Sequence, residues 1–200
     1  KEEKVIKFMH DFGVSLGLET QIDKVGNVVI FKPATDGMEN RKTVVLQSHL
    51  DMVHEKNNDV NFDFEKSGIQ MYVDNDWVRA KGTTLGADNG LGVATIMSVL
   101  ESKDIIHPRL EALFTIDEET GMTGALKLDE NILDGDILLN LDTEEDDEIG
   151  IGCAGGVDIT INNITTLTHN FTNPLWSSML EYEFLKNDIY SDNFIKGGLA

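Results

Sequence analysis

The sequence predicts an α/β fold, a mixed, largely parallel sheet flanked by helices, and three observations carry that expectation. Residues 44–48, 110–116 and 137–141 are apolar runs too short for helices, so each reads as a buried strand. A helix-period segment at 90–100 separates the first two runs, and strand, crossover helix and strand alternate thereafter, as parallel pairing requires. Each run also ends in His or carboxylates: His49-Leu50-Asp51, Asp117-Glu118-Glu119 and Asp142. The carboxyl edge of an open α/β sheet is where ligands and catalytic groups gather.

The elements follow in order. Val5, Ile6, Phe8, Met9 and Phe12 fall at helical spacing, and Gly13 or Gly17 stops that helix. Residues 19–23 and 28–32 flank Val25-Gly26-Asn27 and read as a hairpin, followed by a polar loop at 33–41. The sheet proper begins at Thr43. Residues 70–73 and 77–80 flank Asp74-Asn75-Asp76 as a second hairpin, inserted before the glycine-rich turn Gly86-Ala87-Asp88-Asn89-Gly90. Leu91, Ala94, Ile96, Met97 and Leu100 then predict a mostly buried helix. After residue 161 neither period is clean. Residues 1–162 are therefore expected to form one domain portion, and 163–200 an unassigned tail that begins a second domain.

Composition narrows the function. With 40% hydrophobic and 26% charged residues in 200, the chain can bury a core. A net charge of −20 repels phosphate backbones and anionic lipid, which argues against nucleic-acid and membrane partners. Cys153, the single cysteine, excludes an intramolecular disulfide and a multi-cysteine zinc finger, and fits a reducing, cytoplasmic setting. No apolar run reaches the ~18 residues of a membrane span. The chain opens Lys1-Glu2-Glu3-Lys4 without methionine, which leaves room for a removed leader. Sequons at Asn163 and Asn170 are short enough to arise by chance.

Two familiar spellings are set aside. Gly13-Val14-Ser15-Leu16-Gly17 matches a nucleophile elbow but ends a helix instead of joining strand to helix, so Ser15 reads as a helix-end residue. Gly150-Ile151-Gly152-Cys153-Ala154-Gly155 matches a dinucleotide fingerprint, yet the strand-like residues 157–161 follow where a helix is required. The acidic run 144–148 reads as a charged loop. His10, His54, His107 and His169 read as structural or exposed.

The strand-end groups withstand the same comparison better. An imidazole with several carboxylates is a common zinc ligand set, and a bridging carboxylate permits two metals. His49 and Asp51 lie two apart and project to one side, so Asp51 is placed to hydrogen-bond the second imidazole nitrogen. Of the adjacent Glu118 and Glu119, one can bind metal while the other moves a proton.

The motifs themselves are specific. Ser48-His49-Leu50-Asp51-Met52-Val53, residues 82–90, residues 115–122 and Asn140-Leu141-Asp142-Thr143-Glu144-Glu145 resemble, in order, those of the M20 metallopeptidases, and most closely their aminoacyl-histidine dipeptidase branch. The resemblance covers roughly residues 1–162 and implies a zinc-peptidase-like fold, incomplete relative to the family. It implies two zinc ions, or other divalent metals such as cobalt or manganese, with His49 and Asp142 on one ion, Asp88 bridging and Glu119 on the second. Asp51 would orient His49, and Glu118 would be the general base that takes a proton from the attacking water and returns it to the leaving amine. The implied reaction is cytosolic hydrolysis of dipeptides such as aminoacyl-histidine. Related aminoacylase or deacylase chemistry and a noncatalytic metal-binding role are the rival expectations.

Family members continue through a lid, by which they pair as homodimers, and return with a last His ligand. Nothing around His169 matches that returning segment. The expectation for the chain alone is thus one stronger and one weaker zinc site, with little or no dipeptidase activity.

Overall fold

A computed structural model describes residues 2–143 and 149–152. The expectations for 144–148, Cys153, residues 157–161, the two sequons and the tail from 163 fall outside those residues. A compact unit runs from Lys1 to Ile149.

Helix α1 (Glu3–Ser15) ends in a left-handed Gly17, with Leu18 N–H donating to the Gly13 carbonyl and Gly17 N–H to that of Val14. Those two bonds satisfy carbonyls that a helix end leaves open, so Gly17 is the stop. Gly13 serves packing instead: a Cβ there would lie 2.3 Å from Thr20 Oγ1 and 2.9 Å from Ile30 Cδ1. Ser15 Oγ merely donates to the Phe12 carbonyl, as a helix-end residue does.

Strands β1 (Glu19–Ile22) and β2 (Val28–Lys32) form the expected hairpin. Strand β3 (Val44–His49), the hairpin β4 (Met71–Asp74) and β5 (Trp77–Ala80), helix α2 (Ala87–Glu101) and strand β6 (Leu110–Thr115) follow. Two short helical turns, α3 (Glu118–Gly121) and α4 (Thr123–Leu126), then lead to β7 (Ile137–Asn140). The main sheet has the order β1-β2-β6-β3-β7. Its first two pairings are antiparallel, and β3 pairs in parallel with both β6 and β7. The sheet is mixed, and its parallel half is the half that carries the strand-end residues.

One face of the sheet is covered by α1 and α2, with Met9, Val28, Ile30, Ile96, Leu100, Ala112 and Phe114 as its buried core. The other holds Val29, Val45 and Leu113 beneath Leu128, Ile132 and Leu133. Lys32 reaches across to the end of α2 and donates to the carbonyls of Val99 (2.8 Å) and Ser102 (2.7 Å), a cationic cap supplied by a strand.

Helix α2 departs from expectation in burial. Only Asn89, Ile96 and Leu100 are buried, while Leu91 is 70% exposed. The described residues cover just the face that packs on the sheet, which makes α2 one-sided. Strand β7 is similarly open: Ile137, Leu138 and Leu139 are all exposed at the end of the described sheet.

Two buried polar residues fasten the loops beneath the site. Asn27 donates through Nδ2 to Asp23 Oδ2 and the Gly124 carbonyl, and accepts the Ile116 N–H, tying the first hairpin to the end of β6 and to α4. Glu111, fully buried, accepts the N–H groups of Asp134 and Gly135 and faces Arg109 at 3.0 Å, so it fixes the turn that feeds β7. Asn27→Ala strands the Gly124 carbonyl and the Ile116 N–H in the interior. It is expected to lower unfolding stability by roughly 2–4 kcal/mol, read as a lower urea midpoint at unchanged m-value.

Candidate metal centre

Parallel pairing of β3 with β6 and β7 brings three strand ends to one edge, and the site grows from that edge. His49 is the last residue of β3, Glu118 and Glu119 open the turn after β6, and Asp142 lies two residues beyond β7. Asp88 comes from the start of α2, where Asp88 and Asn89 leave helical geometry and the peptide bond between them is cis. Gly86 precedes them with φ +78, and a Cβ there would lie 2.8 Å from Met52 Sδ, so both its conformation and its neighbour favour glycine.

The structure brings His49, Asp88 and Asp142 together. One ligand-type atom from each lies within 4.8 Å of the others. His49 Nε2 is 3.1 Å from Asp88 Oδ1 and 3.7 Å from Asp142 Oδ2, while Nδ1 faces the Asp51 carbonyl at 3.0 Å. A carbonyl can only accept, so Nδ1 carries the proton and Nε2 presents a lone pair to two carboxylates. Acceptors facing acceptors call for a cation or a second proton between them. For zinc bonds of about 2.0–2.2 Å in a tetrahedron, ligand atoms stand about 3.4 Å apart, so this donor set fits such an ion.

Glu119 does not join that three-residue group. It shares with Asp88, Met52, Val53, Leu85 and Ala87 the wall of a cleft of about 280 Å³. Its N–H donates to Asp51 Oδ2, and that of Glu118 to Asp51 Oδ1, both at 3.0 Å. The Asp51 carboxylate therefore clamps the Glu118-Glu119 turn. Its Oδ1 lies 3.4 Å from His49 Nδ1, farther than its own carbonyl, so the imidazole is oriented mainly by backbone. Asp117, in the left-handed region, accepts from the hydroxyls of Thr120 and Thr123 and braces the same turn from below.

Asp142 is held through an amide relay. Its N–H donates to Asn140 Oδ1, Asn140 Nδ2 to Gln47 Oε1, and Gln47 Nε2 to Thr115 Oγ1, which crosses β7, β3 and β6 just below the site. Asn89 Nδ2 donates to Asp142 Oδ1 at 2.8 Å. Gln47, Asn89, Asn27 and Asn140 were not among the residues singled out from sequence. Asn89 and Asn140 lie within the quoted motifs, and the signal for Gln47 and Asn27 is an amide placed within or beside an apolar run. His107, read as structural, is buried with its N–H on Thr35 Oγ1 and Nδ1 on the Pro108 carbonyl.

The electrostatics follow from the crowding. Burial pulls the His49 pKa down, but the bond that a protonated Nε2 donates to Asp88 and the charges of Asp142, Asp51 and Glu118 outweigh it, so the imidazole titrates above its ordinary range. Burial raises Glu118, and the neighbouring carboxylates of Asp142, Glu119 and Asp51 push the same way against His49. A carboxyl held above its usual range is suited to proton transfer near neutrality.

A donor group able to hold a divalent cation at the carboxyl edge of a mixed sheet is thereby defined, and comparison with known proteins gives the chain's family. The profile of peptidase family M20/M25/M40 matches residues 45–185, and the chain belongs to that family. It is 53% identical over 161 residues to the cytosol non-specific dipeptidase of Escherichia coli, covering 80% of this chain and 33% of that protein. The crystal structure of aminoacylhistidine dipeptidase from Vibrio alginolyticus matches with a TM-score of 0.71 and 53% identity, over 72% of this chain and 30% of the other. Aminopeptidase PepT from Bacillus cereus matches with a TM-score of 0.59 and 27% identity, over 72% and 39%. The chain spans about a third of the length of these relatives.

The raised His49 pKa has a testable sign. In metal-free protein, the stability contributed by protonated His49 is complete below the unfolded value of 6.5 and is lost as pH rises through the higher folded value. The melting-midpoint advantage of the native chain over His49→Gln, measured with chelator from about pH 6 to about pH 9, should therefore shrink as pH rises. A gap that stays constant across that range removes the proposed coupling to the carboxylates.

Proposed function

We propose that this chain carries the metal-binding half of a dipeptidase active site, acting on dipeptides such as aminoacyl-histidine with a pair of zinc ions. The observation that carries the reading is the His49, Asp88 and Asp142 donor group at the carboxyl edge of the sheet, in a chain of the M20 family. His49 and Asp142 would hold one ion, Asp88 would bridge, and Glu119, on the shared cleft wall, would take the second. Cobalt and manganese are accepted by the same donors. The bound metal supplies Lewis-acid polarisation of the scissile carbonyl and lowers the pKa of water.

The chain's own residues do the rest. The Asp51 clamp fixes the backbone of Glu118 and Glu119 beside the donor group, and in this reading one of the two carboxylates binds while the other exchanges a proton. Glu118 is that second group: it accepts a proton from the attacking water and delivers it to the leaving amine, a role its raised pKa favours. The Escherichia coli relative's name places it in the cytosol, which we extend to this protein. No helix among the described residues is long and apolar enough to cross a membrane. Pairing of two copies through a lid belongs to the same reading.

In protein that turns over an aminoacyl-histidine substrate, Glu118→Gln keeps the side-chain shape and removes the base. Turnover should fall at least ~10²-fold while zinc content stays the same. Undiminished turnover rejects Glu118 as the base, and zinc loss in step with activity makes it a ligand instead.

A further inference from the structure

We infer that Asn89 is a positioning residue for the metal centre, acting through Asp142 by occupying one carboxylate oxygen and leaving the other for the ion. The inference rests on the metal reading above. Asn89 is 5% exposed, although it is an amide at the start of a helix. Its Nδ2 donates to Asp142 Oδ1 at 2.8 Å and approaches the Leu141 carbonyl at 3.5 Å, so both N–H bonds are directed at the segment bearing Asp142. The other oxygen of Asp142, Oδ2, is the one 3.7 Å from His49 Nε2. The two oxygens of that carboxylate are thus divided between an amide and the imidazole's lone-pair side.

The reverse orientation of the amide would set Asn89 Oδ1 against a carboxylate, acceptor to acceptor, so the donor assignment follows from chemistry. Asn89 Oδ1 itself is buried with no hydrogen-bond partner. A buried acceptor left open is a cost to the fold. The surroundings nevertheless enforce the placement. A Cβ on Gly92 would lie 2.4 Å from Asn89 Oδ1, 2.9 Å from Ser48 Oγ and 3.0 Å from the Leu141 carbonyl, so only glycine lets the helix turn close over the amide. The Ser48 hydroxyl meets the Asn89 carbonyl at 3.5 Å from the strand that ends in His49. Asn89 thereby touches the β3 and β7 ends at once, and follows Asp88 directly in sequence.

An amide kept for the fold would have both ends satisfied. One satisfied only toward a candidate ligand is better explained by what it does to that ligand. Asp142 is 32% exposed and could swing outward without this bond. Groups that orient metal ligands typically contribute about 10–100-fold to metal affinity.

The test separates affinity from folding. Asn89→Leu keeps the branched shape, removes the donor and removes the unpaired oxygen, and Asn89→Ala serves if leucine cannot be accommodated beside Gly92. Zinc affinity is measured by competition with a chromophoric chelator, Co(II) binding by its visible spectrum, and folding by the metal-free melting midpoint. The expected result is a ~10–100-fold weaker first-metal affinity and an altered Co(II) spectrum, with a metal-free midpoint that changes far less than the affinity does. In an Asp142→Ala background the same substitution should change affinity by less than ~2-fold, because the group it acts through is gone. Native affinity in the single variants, an undiminished effect without Asp142, or a metal-free midpoint that falls in step with affinity would each overturn the inference. A native chain that binds neither zinc nor cobalt overturns the metal reading itself.

Discussion

Carboxylates brought close to one another repel, and the site's design is the distribution of donors that makes their approach tolerable. None of Asp51, Asp88 or Asp142 is left facing only another acid. Asp51 accepts two backbone N–H groups, Asp88 meets the imidazole, and Asp142 is held by the Asn89 amide. Each donor comes from a different part of the chain, so the arrangement exists only when the sheet, α2 and the turn after β6 are all in place. The residual negative charge converges on His49 Nε2, where the raised imidazole pKa registers it. A divalent cation at that point would neutralise what the protein's own donors leave unbalanced.

Much of the frame was legible in the sequence because it depends on local pattern. The apolar runs that became β3, β6 and β7, the helix spacing of Met9 and Phe12, and the turn residues of both hairpins all acted within a few residues of themselves. The ends of the parallel strands could be located for the same reason, and with them His49 and Asp142. Glu119 shows the limit. Adjacent Glu118 and Glu119 are indistinguishable by period, and their placement depends on a clamp from Asp51, far away in sequence.

Supports of that kind are opaque to pattern. Asn27 looks like an ordinary turn residue until Gly124 and Ile116 are folded against it, and Glu111 contradicts its own apolar run until the loop at Asp134 supplies two N–H donors. Apolar spacing predicts more burial for α2 than the structure shows, because it indicates which residues can be covered, not whether a second layer among the described residues covers them. Leu91 and Leu138 satisfy the apolar pattern and still face outward.

Strand β7 gives the chain's acidity a second meaning. It ends the described sheet with Ile137, Leu138 and Leu139 exposed, an apolar edge of the kind that templates pairing between molecules. Lysine or proline commonly guards such edges, but this strand has neither. Among the described residues no strand pairs with that edge, and two copies each carrying −20 must approach against their mutual repulsion before such edges can meet. Ionic strength then governs how closely two copies approach, since screening shortens that repulsion to about 10 Å at 0.1 M salt.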